Sequence, residues 1–180
     1  MSWTTDKNIL MVIYFIRHGA VENPLGLQYG RLPGFPLSKS GRSEAVSIET
    51  FLSDKKLECL YASPLLRTRQ TAEIIVEKIK IPLFFDDRLL EFDHGCYEGV
   101  KIEDYKTKAL WQFGGETLDQ AGKRVIAFLE EIKKENHYHV LGIVSHEAPI
   151  VMAILILQGK TEANYSSIPF PTGGCLKIDY

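Results

Sequence analysis

The stretch that decides the fold is VIYFIRHG, from Val12 to Gly19. Its β-branched and aromatic residues predict a buried strand that ends abruptly in an arginine and a histidine. Gly19 has no Cβ, so the backbone can turn tightly directly after them. The pattern predicts that Arg17 and His18 lie at the carboxyl end of a strand, the edge where α/β sheets bind ligands. A solvated basic strand end is the alternative, and the rest of the chain decides between the two.

The composition indicates one ordinary globular domain. The 180 residues are 45% hydrophobic and 24% charged, and we expect residues 1–180 to form a single domain. A net charge of −2 without a basic stripe argues against nucleic acid and anionic membranes as partners. Residues 1–8 lack a signal-peptide pattern, and no apolar run approaches the roughly 20 residues that cross a bilayer. We expect a cytoplasmic protein; its oligomeric state is left open.

A long irregular stretch follows the first strand, over residues 20–37. Segments of this length without regular structure are usually functional or disordered. Gln28, Tyr29 and Arg31 predict a loop that faces substrate, with a plain connector as the alternative. The polar residues 38–40 then predict the start of a helix that runs to about Leu52, with a buried apolar stripe.

The second strand, Leu57 to Ala62, leads into a helix that extends to about Lys78. Ser63 is predicted to cap this helix, with Pro64 at its first position. Arg67 then lies in the first turn, where free N–H groups and the helix dipole favour an anion and a guanidinium suits a phosphate. We expect Arg69 to be an ordinary exposed arginine.

An acidic segment follows the third predicted strand, residues 81–85. Glu91 lies between apolar neighbours, which could bury it partly and raise its pKa toward the range useful for proton transfer. On these grounds alone Glu91 and Asp93 are equivalent candidates, and either could be solvated.

The last third of the chain repeats the strand-to-helix pattern. Gly114 and Gly115 precede a helix to about Lys134, whose start carries the capping-box pair Thr117 and Gln120. A fourth strand, residues 139–144, ends at Ser145-His146-Glu147, and an apolar helix is predicted from Pro149 to Leu157. Residues 175–178 suggest a last strand, which could form a sheet edge.

Alternating strands and helices predict an α/β sheet, mostly parallel, with helices on both faces. If strands one, two and four are parallel, Arg17, His18, Arg67 and His146 meet at one edge. Such a cluster suits phosphoryl transfer. The arginines would hold the phosphate, an imidazole would attack phosphorus, and an acid would protonate the leaving oxygen.

The chain also resembles the histidine phosphatase superfamily, the phosphoglycerate mutase-like group. The motifs that carry the resemblance stand in the family's order: Arg17-His18-Gly19, Tyr29-Gly30-Arg31, Leu37-Ser38, Gly41-Arg42, residues 63–72 (SPLLRTRQTA), Leu90-Glu91 and Ser145-His146. The resemblance implies a mostly parallel sheet and a metal-independent phosphatase without cofactor that acts on small phosphorylated metabolites. It implies His18 as the phosphorylated nucleophile and Glu91 as the proton donor. It implies a phosphate site formed by Arg17, Arg67 and His146, together with Arg31 and Asn23.

The chain departs from the family pattern in three places. Ala20 stands where many members carry glutamate, and Asn23 lies one residue short of the asparagine common in that loop. Glu147-Ala148 replaces a common glycine pair. A distant branch of the superfamily has its acid directly after the second histidine, so Glu147 is a second candidate for the proton donor.

Three other functions are weighed. A metallohydrolase could use His137 and His139 with His18 or His146, but carboxylates at matching spacing are absent, and surface histidines explain that pair better. Three cysteines without a CxxC pair also argue against a zinc ribbon. A phospholigand-binding module would have no use for a nucleophile beside a donor. A phosphoglycerate-type mutase is the third alternative, for which a chain of 180 residues leaves little room for a closing lid.

Overall fold

A computed structural model describes residues 10–105, 115–135 and 137–180. Two stretches used in the sequence analysis lie outside the described residues: residues 1–8, which lack a signal-peptide pattern, and Gly114, which was expected to precede a helix. The strands are β1 (Val12–Arg17), β2 (Cys59–Ala62), β3 (Leu83–Phe85), β4 (Val140–Ser145) and β5 (Cys175–Asp179). The α-helices are α1 (Lys39–Leu52), α2 (Leu66–Ile79), α3 (Ile102–Tyr105), α4 (Leu118–Glu135) and α5 (Glu147–Leu157). Short 3₁₀ turns are Asp87–Leu89, Gly95–Tyr97 and Glu162–Ser167.

The described strands form one sheet in the order β3-β2-β4-β1-β5. The pairs β3–β2, β2–β4 and β4–β1 are parallel, whereas β5 pairs antiparallel with β1 at the edge. The predicted mixed α/β fold with a mostly parallel sheet is confirmed, as is the edge position of the last strand. The carboxyl ends of β1, β2 and β4 therefore share one edge.

Helices cover both faces of this sheet, as predicted. Ile13 and Phe15 of β1 are in the core cluster that includes α4 and α5. Tyr14 and Ile16 alternate with them and are in the cluster that includes α1 and α2. Side chains buried on both faces are typical of a parallel strand, and each contributes about 1.5–3 kcal/mol to stability. None of the described helices has the length and apolarity needed to span a bilayer.

The helix boundaries agree with the predicted helix start at residues 38–40 and the predicted capping box before α4, and they contradict the predicted cap of α2. Ser38 accepts from Gly41 N at the start of α1, and Thr117 and Gln120 form the reciprocal bonds before α4. The prediction that Ser63 caps α2 is wrong. The helix starts at Leu66 with Leu65 as N-cap, and no side chain caps it.

The loop after β1 is held by a close approach of two backbones. A Cβ on Gly19 would overlap the carbonyl of Gly41, and a Cβ on Gly41 would overlap the carbonyl of Ala20. Because neither glycine has a Cβ, the start of α1 can pack directly against the residues that follow His18. Glu44 of α1 also accepts from Ala20 N at 2.8 Å. These contacts fix the direction in which the chain leaves β1.

Candidate active site

His18 is buried at the carboxyl end of β1, with 1% of the residue exposed. Its Nδ1 lies 2.8 Å from the carbonyl oxygen of Gly19, and since a carbonyl only accepts, Nδ1 carries the proton. Arg67 Nε donates to His18 Nε2 at 3.2 Å. Burial and the charge of Arg67 hold the pKa of His18 well below its usual value. His18 Nε2 is therefore unprotonated, and its lone pair, which accepts from Arg67 here, is the one that a nucleophile would use once that hydrogen bond is exchanged for the bond to phosphorus.

Arg67 lies in the first turn of α2, as the sequence predicts, and is almost fully buried. Its NH2 donates to Gly30 O at 2.7 Å, and its guanidinium stacks on the Tyr29 ring, 4.7 Å from the centroid. Arg69 is exposed on the same helix and lies over Phe85. Thus the two arginines of one helix turn have different surroundings, and Arg67 is the one that faces His18.

His146 follows β4 and is the N-cap residue of α5. Its ring lies 5.1 Å from the His18 ring, centroid to centroid. Ser63 Oγ lies 2.9 Å from His146 Nε2, so the serine that was predicted to cap α2 contacts the second histidine instead. Burial, followed by the charge of Arg67, holds the pKa of His146 well below its usual value. The apolar helix after it starts at Glu147, two residues earlier than predicted.

Glu91 is the acid that the fold brings to the histidines. Its Oε2 lies 3.6 Å from His146 Nδ1 and 4.0 Å from Arg67 NH2, and Oε1 accepts from Phe92 N at 2.8 Å. The side chain is 14% exposed. Burial raises its pKa, as predicted, and Arg67 opposes this rise. Asp93 instead accepts from Gly95 N, which separates the two acids that the sequence could not distinguish.

Arg17 and His146 provide the observation that points most directly to a ligand. Arg17 NH1 donates to Phe170 O and forms an ion pair with Glu147 Oε2 at 2.6 Å. Among the residues that the structure describes, the buried side-chain nitrogens without a hydrogen-bond partner are Arg17 Nε and His146 Nδ1. A buried N–H is costly unless an acceptor meets it, so an anion oxygen suits Arg17 Nε, and it also suits His146 Nδ1 in the tautomer whose Nε2 accepts from the Ser63 hydroxyl.

A cavity of about 270 Å³ opens beside these groups. Its walls come from the loop after β1, from the Glu91 segment and from the start of α5, with Tyr165 from the last 3₁₀ turn. The residues that line it are Arg17, Gln28, Tyr29, Gly30, Glu91, His94, Ile102, Glu147, Ala148 and Tyr165. Gln28 and Tyr29, from the loop predicted to face substrate, line this cavity.

Two of the residues expected at the phosphate have other partners. The Asn23 amide is engaged with Leu27 in its own loop, through Nδ2 to O at 2.8 Å and Oδ1 from N at 3.0 Å. Arg31 donates Nε to Glu91 O at 2.7 Å and NH2 to Glu116 at 2.8 Å. Neither residue lines the cavity, and neither do the buried His18, Arg67 and His146, so the hydrogen bonds of Asn23 and Arg31 are what sets them apart. The structure therefore does not bring Asn23 or Arg31 into the cluster, because their polar groups are committed to protein partners.

The same cluster has ligand atoms that could bind a metal. One nitrogen each of His18 and His146 and an oxygen of Glu91 lie within 4.8 Å of one another. Burial, and after it the positive charges of Arg67 and Arg17, lower the pKa of both histidines, and positive charge beside the cluster favours an anion over a cation. His137 and His139, the other predicted ligands, are exposed and precede β4, at the opposite edge of the sheet.

Comparison with known proteins identifies this arrangement. The family model described as "Histidine phosphatase superfamily (branch 1)" matches residues 13–180. The chain belongs to the histidine phosphatase superfamily. The expectation drawn from its motifs is confirmed.

Several relatives of this histidine phosphatase are named as phosphatases. It is 32% identical over 185 residues to phosphoserine phosphatase 1 of Hydrogenobacter thermophilus, covering 95% of this chain and 85% of the relative. The α-ribazole phosphatase of Shigella flexneri is 25% identical, with a TM-score of 0.82 over 94% of this chain and 90% of that chain. Bacillus stearothermophilus YhfR, at 21% identity, shares the fold with a TM-score of 0.83 over 93% and 90%. The chain is therefore a phosphoric monoester hydrolase.

Two residues that shape the site, Glu116 and Arg124, were not singled out from the sequence, and Ser63 was expected in a different role, as a helix cap. Ser63 contacts His146, and Glu116 and Arg124 bond to each other and to the Glu91 segment. Glu116 could have been noticed in the sequence because it lies directly before the capping-box residue Thr117, where an acidic side chain can bond to a neighbouring segment. Arg124 lies on α4 outside its apolar stripe, and a charged residue in that position is usually solvated.

Proposed function

We propose that this histidine phosphatase hydrolyses small phosphomonoesters through a covalent phosphohistidine on His18, without a metal ion. The observation that carries the proposal is the state of His18. The Gly19 carbonyl holds the proton on Nδ1, so Nε2 is unprotonated, and its lone pair accepts from Arg67 Nε at 3.2 Å until phosphorus takes that place. The buried Arg17 Nε–H supplies a further contact for a phosphate oxygen, as does His146 Nδ1 in the tautomer whose Nε2 accepts from Ser63.

The first half-reaction forms the phosphoenzyme. His18 Nε2 attacks phosphorus, the N–P bond forms and the P–O bond to the leaving group breaks. Glu91 transfers its proton to the leaving oxygen, and its raised pKa supports this role. In the second half-reaction, the Glu91 carboxylate takes a proton from water, the water oxygen bonds to phosphorus and the N–P bond breaks.

Glu147 has a different role in this proposal. Its carboxylate forms an ion pair with Arg17 at 2.6 Å, which orients the guanidinium that contacts phosphate. Glu91 lies 3.6 Å from His146 Nδ1 and is the more buried of the two acids. The geometry therefore favours Glu91 as the proton donor over Glu147.

A panel of phosphomonoesters, assayed with and without EDTA, tests the reaction class. L-Phosphoserine is the first substrate in the panel, because the match to the relative named phosphoserine phosphatase 1 covers 95% of this chain. The second is α-ribazole 5′-phosphate. We expect inorganic phosphate to be released at the same rate with the chelator. Loss of activity with EDTA and its rescue by zinc or magnesium would instead support the metallohydrolase.

Assays with 3-phosphoglycerate and a bisphosphoglycerate primer separate hydrolysis from the mutase alternative. We expect release of phosphate to water to exceed transfer between the hydroxyls of phosphoglycerate. The relatives named as phosphatases favour this outcome. Faster transfer than hydrolysis would establish the mutase.

A further inference from the structure

Two arginines hold the main chain of Glu91 from outside the catalytic cluster. Arg31 Nε donates to the Glu91 carbonyl at 2.7 Å, and Arg124 NH2 donates to the same oxygen at 3.0 Å. Arg31 belongs to the loop after β1, and Arg124 belongs to α4. Segments 60 and 33 residues away from Glu91 along the chain thus converge on one backbone atom.

Glu116 joins these two arginines. Its Oε1 accepts from NH2 of Arg31 at 2.8 Å and from NH2 of Arg124 at 2.8 Å, and its Oε2 accepts from Arg124 Nε at 3.1 Å. The Glu116 side chain is 15% exposed, which makes such charge-assisted bonds stronger than they are at an open surface. We name Glu116, Arg31 and Arg124 the Glu116 clamp.

The clamp also fixes the residues on either side of Glu91. Asp93 N donates to Glu116 Oε1 at 3.0 Å, and Glu116 N donates to Asp93 O at 3.1 Å. Arg124 NH1 donates to Arg88 O at 2.6 Å. A Cβ on Gly115 would overlap the Asp93 carbonyl, so the two segments are in direct backbone contact. The chain from Arg88 to Asp93 is therefore tied at several backbone atoms.

The position of the Glu91 carboxyl depends on this backbone. Its Oε1 accepts from Phe92 N at 2.8 Å, so a movement of the main chain moves the carboxyl with it. A general acid must lie within hydrogen-bond distance of the leaving oxygen, and displacements of about 1 Å can lower rates a hundredfold. A device that holds the main chain therefore bears directly on proton transfer.

We propose that Glu116 is a positioning residue for the proton donor. It holds Arg31 and Arg124 against the Glu91 carbonyl and so sets where the Glu91 carboxyl meets the leaving group. The inference rests on the proposed function, in which Glu91 protonates the leaving oxygen. Glu116 exchanges no proton itself, and Arg31 acts on Glu91 rather than on phosphate.

The test measures kcat/KM across a series of phosphate esters, from 2,4-dinitrophenyl phosphate to alkyl phosphates. This parameter reports the steps up to departure of the leaving group, in which Glu91 is the acid. Glu116→Gln removes the carboxylate charge, and Arg31→Lys keeps a cation but removes the fork. Glu49→Gln is the matched control, since Glu49 is a buried carboxylate ion-paired with Lys78 on another part of the molecule.

We expect Glu116→Gln and Arg31→Lys to lower kcat/KM about tenfold for alkyl phosphates and less than about threefold for the dinitrophenyl ester, which needs little protonation. Glu49→Gln should reduce all esters equally or not at all. Thermal unfolding identifies a variant that fails to fold, and if Glu116→Gln does so, Arg31→Lys decides.

Losses of equal size across the series would overturn the inference, because loss of phosphate binding or of general stability has that result. Glu91→Gln, measured in parallel, separates this outcome from a failure of the proposed function. If Glu91→Gln itself shows no dependence on the leaving group, the assignment of the proton donor is wrong, and the inference is wrong with it.

Discussion

The two ends of strand β4 each carry a histidine, yet their surroundings are opposite. His139 precedes the strand and is exposed, and its backbone N–H is bonded to Glu58 at the surface. His146 follows the strand, is fully buried and lies 5.1 Å from the His18 ring, centroid to centroid. Thus one histidine beside β4 is solvated at one edge of the sheet, and the other histidine beside it is part of the site at the opposite edge.

The difference shows what the parallel arrangement does for the chemistry. Because β1, β2 and β4 run in one direction, the segments that follow them meet, while those that precede them meet at the opposite edge. Within residues 10–105, 115–135 and 137–180, the carboxyl edge is the place where buried imidazoles lie beside the buried guanidinium of Arg67 and the partly buried one of Arg17. The predictions below compare a residue of this edge with a matched residue elsewhere.

The largest effect is expected from the first histidine. His18→Ala removes the proposed nucleophile and should abolish turnover, a loss of at least about a thousandfold, while His139→Ala should retain the activity of the unchanged protein. Steady-state assays on a good substrate measure both. Thermal unfolding should show that His18→Ala still folds. Comparable losses in the two variants would break the distinction between the two edges.

The next effect separates the two acids beside the cavity. Glu91→Gln should lower kcat/KM for alkyl phosphates about a hundredfold, because no proton is then supplied to a poor leaving group, and should affect an activated aryl phosphate less. Glu147→Gln should show no such dependence, since that carboxylate pairs with Arg17. If only Glu147→Gln showed this dependence on the leaving group, the proton donor would be Glu147, the residue after His146.

A smaller effect compares two arginines on α2. Arg67→Ala should lower kcat/KM at least about tenfold, because a buried charge-assisted contact of about 1.5–3 kcal/mol is lost. Arg69→Ala should change it far less, since that side chain is exposed and packs over Phe85. Kinetics on one substrate compare the two variants. Equal losses would mean that the phosphate does not lie beside His18.

The smallest effect is a shift in pH dependence. Glu91 must be protonated, so kcat/KM should fall as the pH rises through its pKa, which burial raises above the usual value of a glutamate. The His18 pKa is held well below its usual value, so its protonation should not limit activity near neutral pH. The descending limb should disappear in Glu91→Gln and persist in His139→Ala. A limb that persists in Glu91→Gln would belong to another group.

Much of this site could be predicted because its residues lie at element boundaries. Arg17 and His18 end an apolar run, and the residues that follow two further strands had to share the same edge once the sheet was parallel. The helix starts at Ser38 and Thr117 were predictable for a related reason, since a cap is a contact between residues three apart.

What could not be predicted depends on partners far along the chain. Ser63 looks like a helix cap in sequence, but its hydroxyl contacts His146, 83 residues later. Arg31 looks like a phosphate ligand, yet its guanidinium is satisfied by Glu91 and Glu116. Local pattern indicates what a side chain can bond to, and only the fold decides which of those partners it reaches.

The most direct test of the central claim is to trap the phosphoenzyme. Protein mixed with a ³²P-labelled substrate and quenched within milliseconds should carry a phosphoryl group that is labile in acid and stable in base. Peptide mapping under alkaline conditions should place it on His18, and the label should be absent from His18→Ala. Label on a serine, on a cysteine or on His146, or a stoichiometric burst of product in the unchanged protein with no labelled intermediate, would contradict the account.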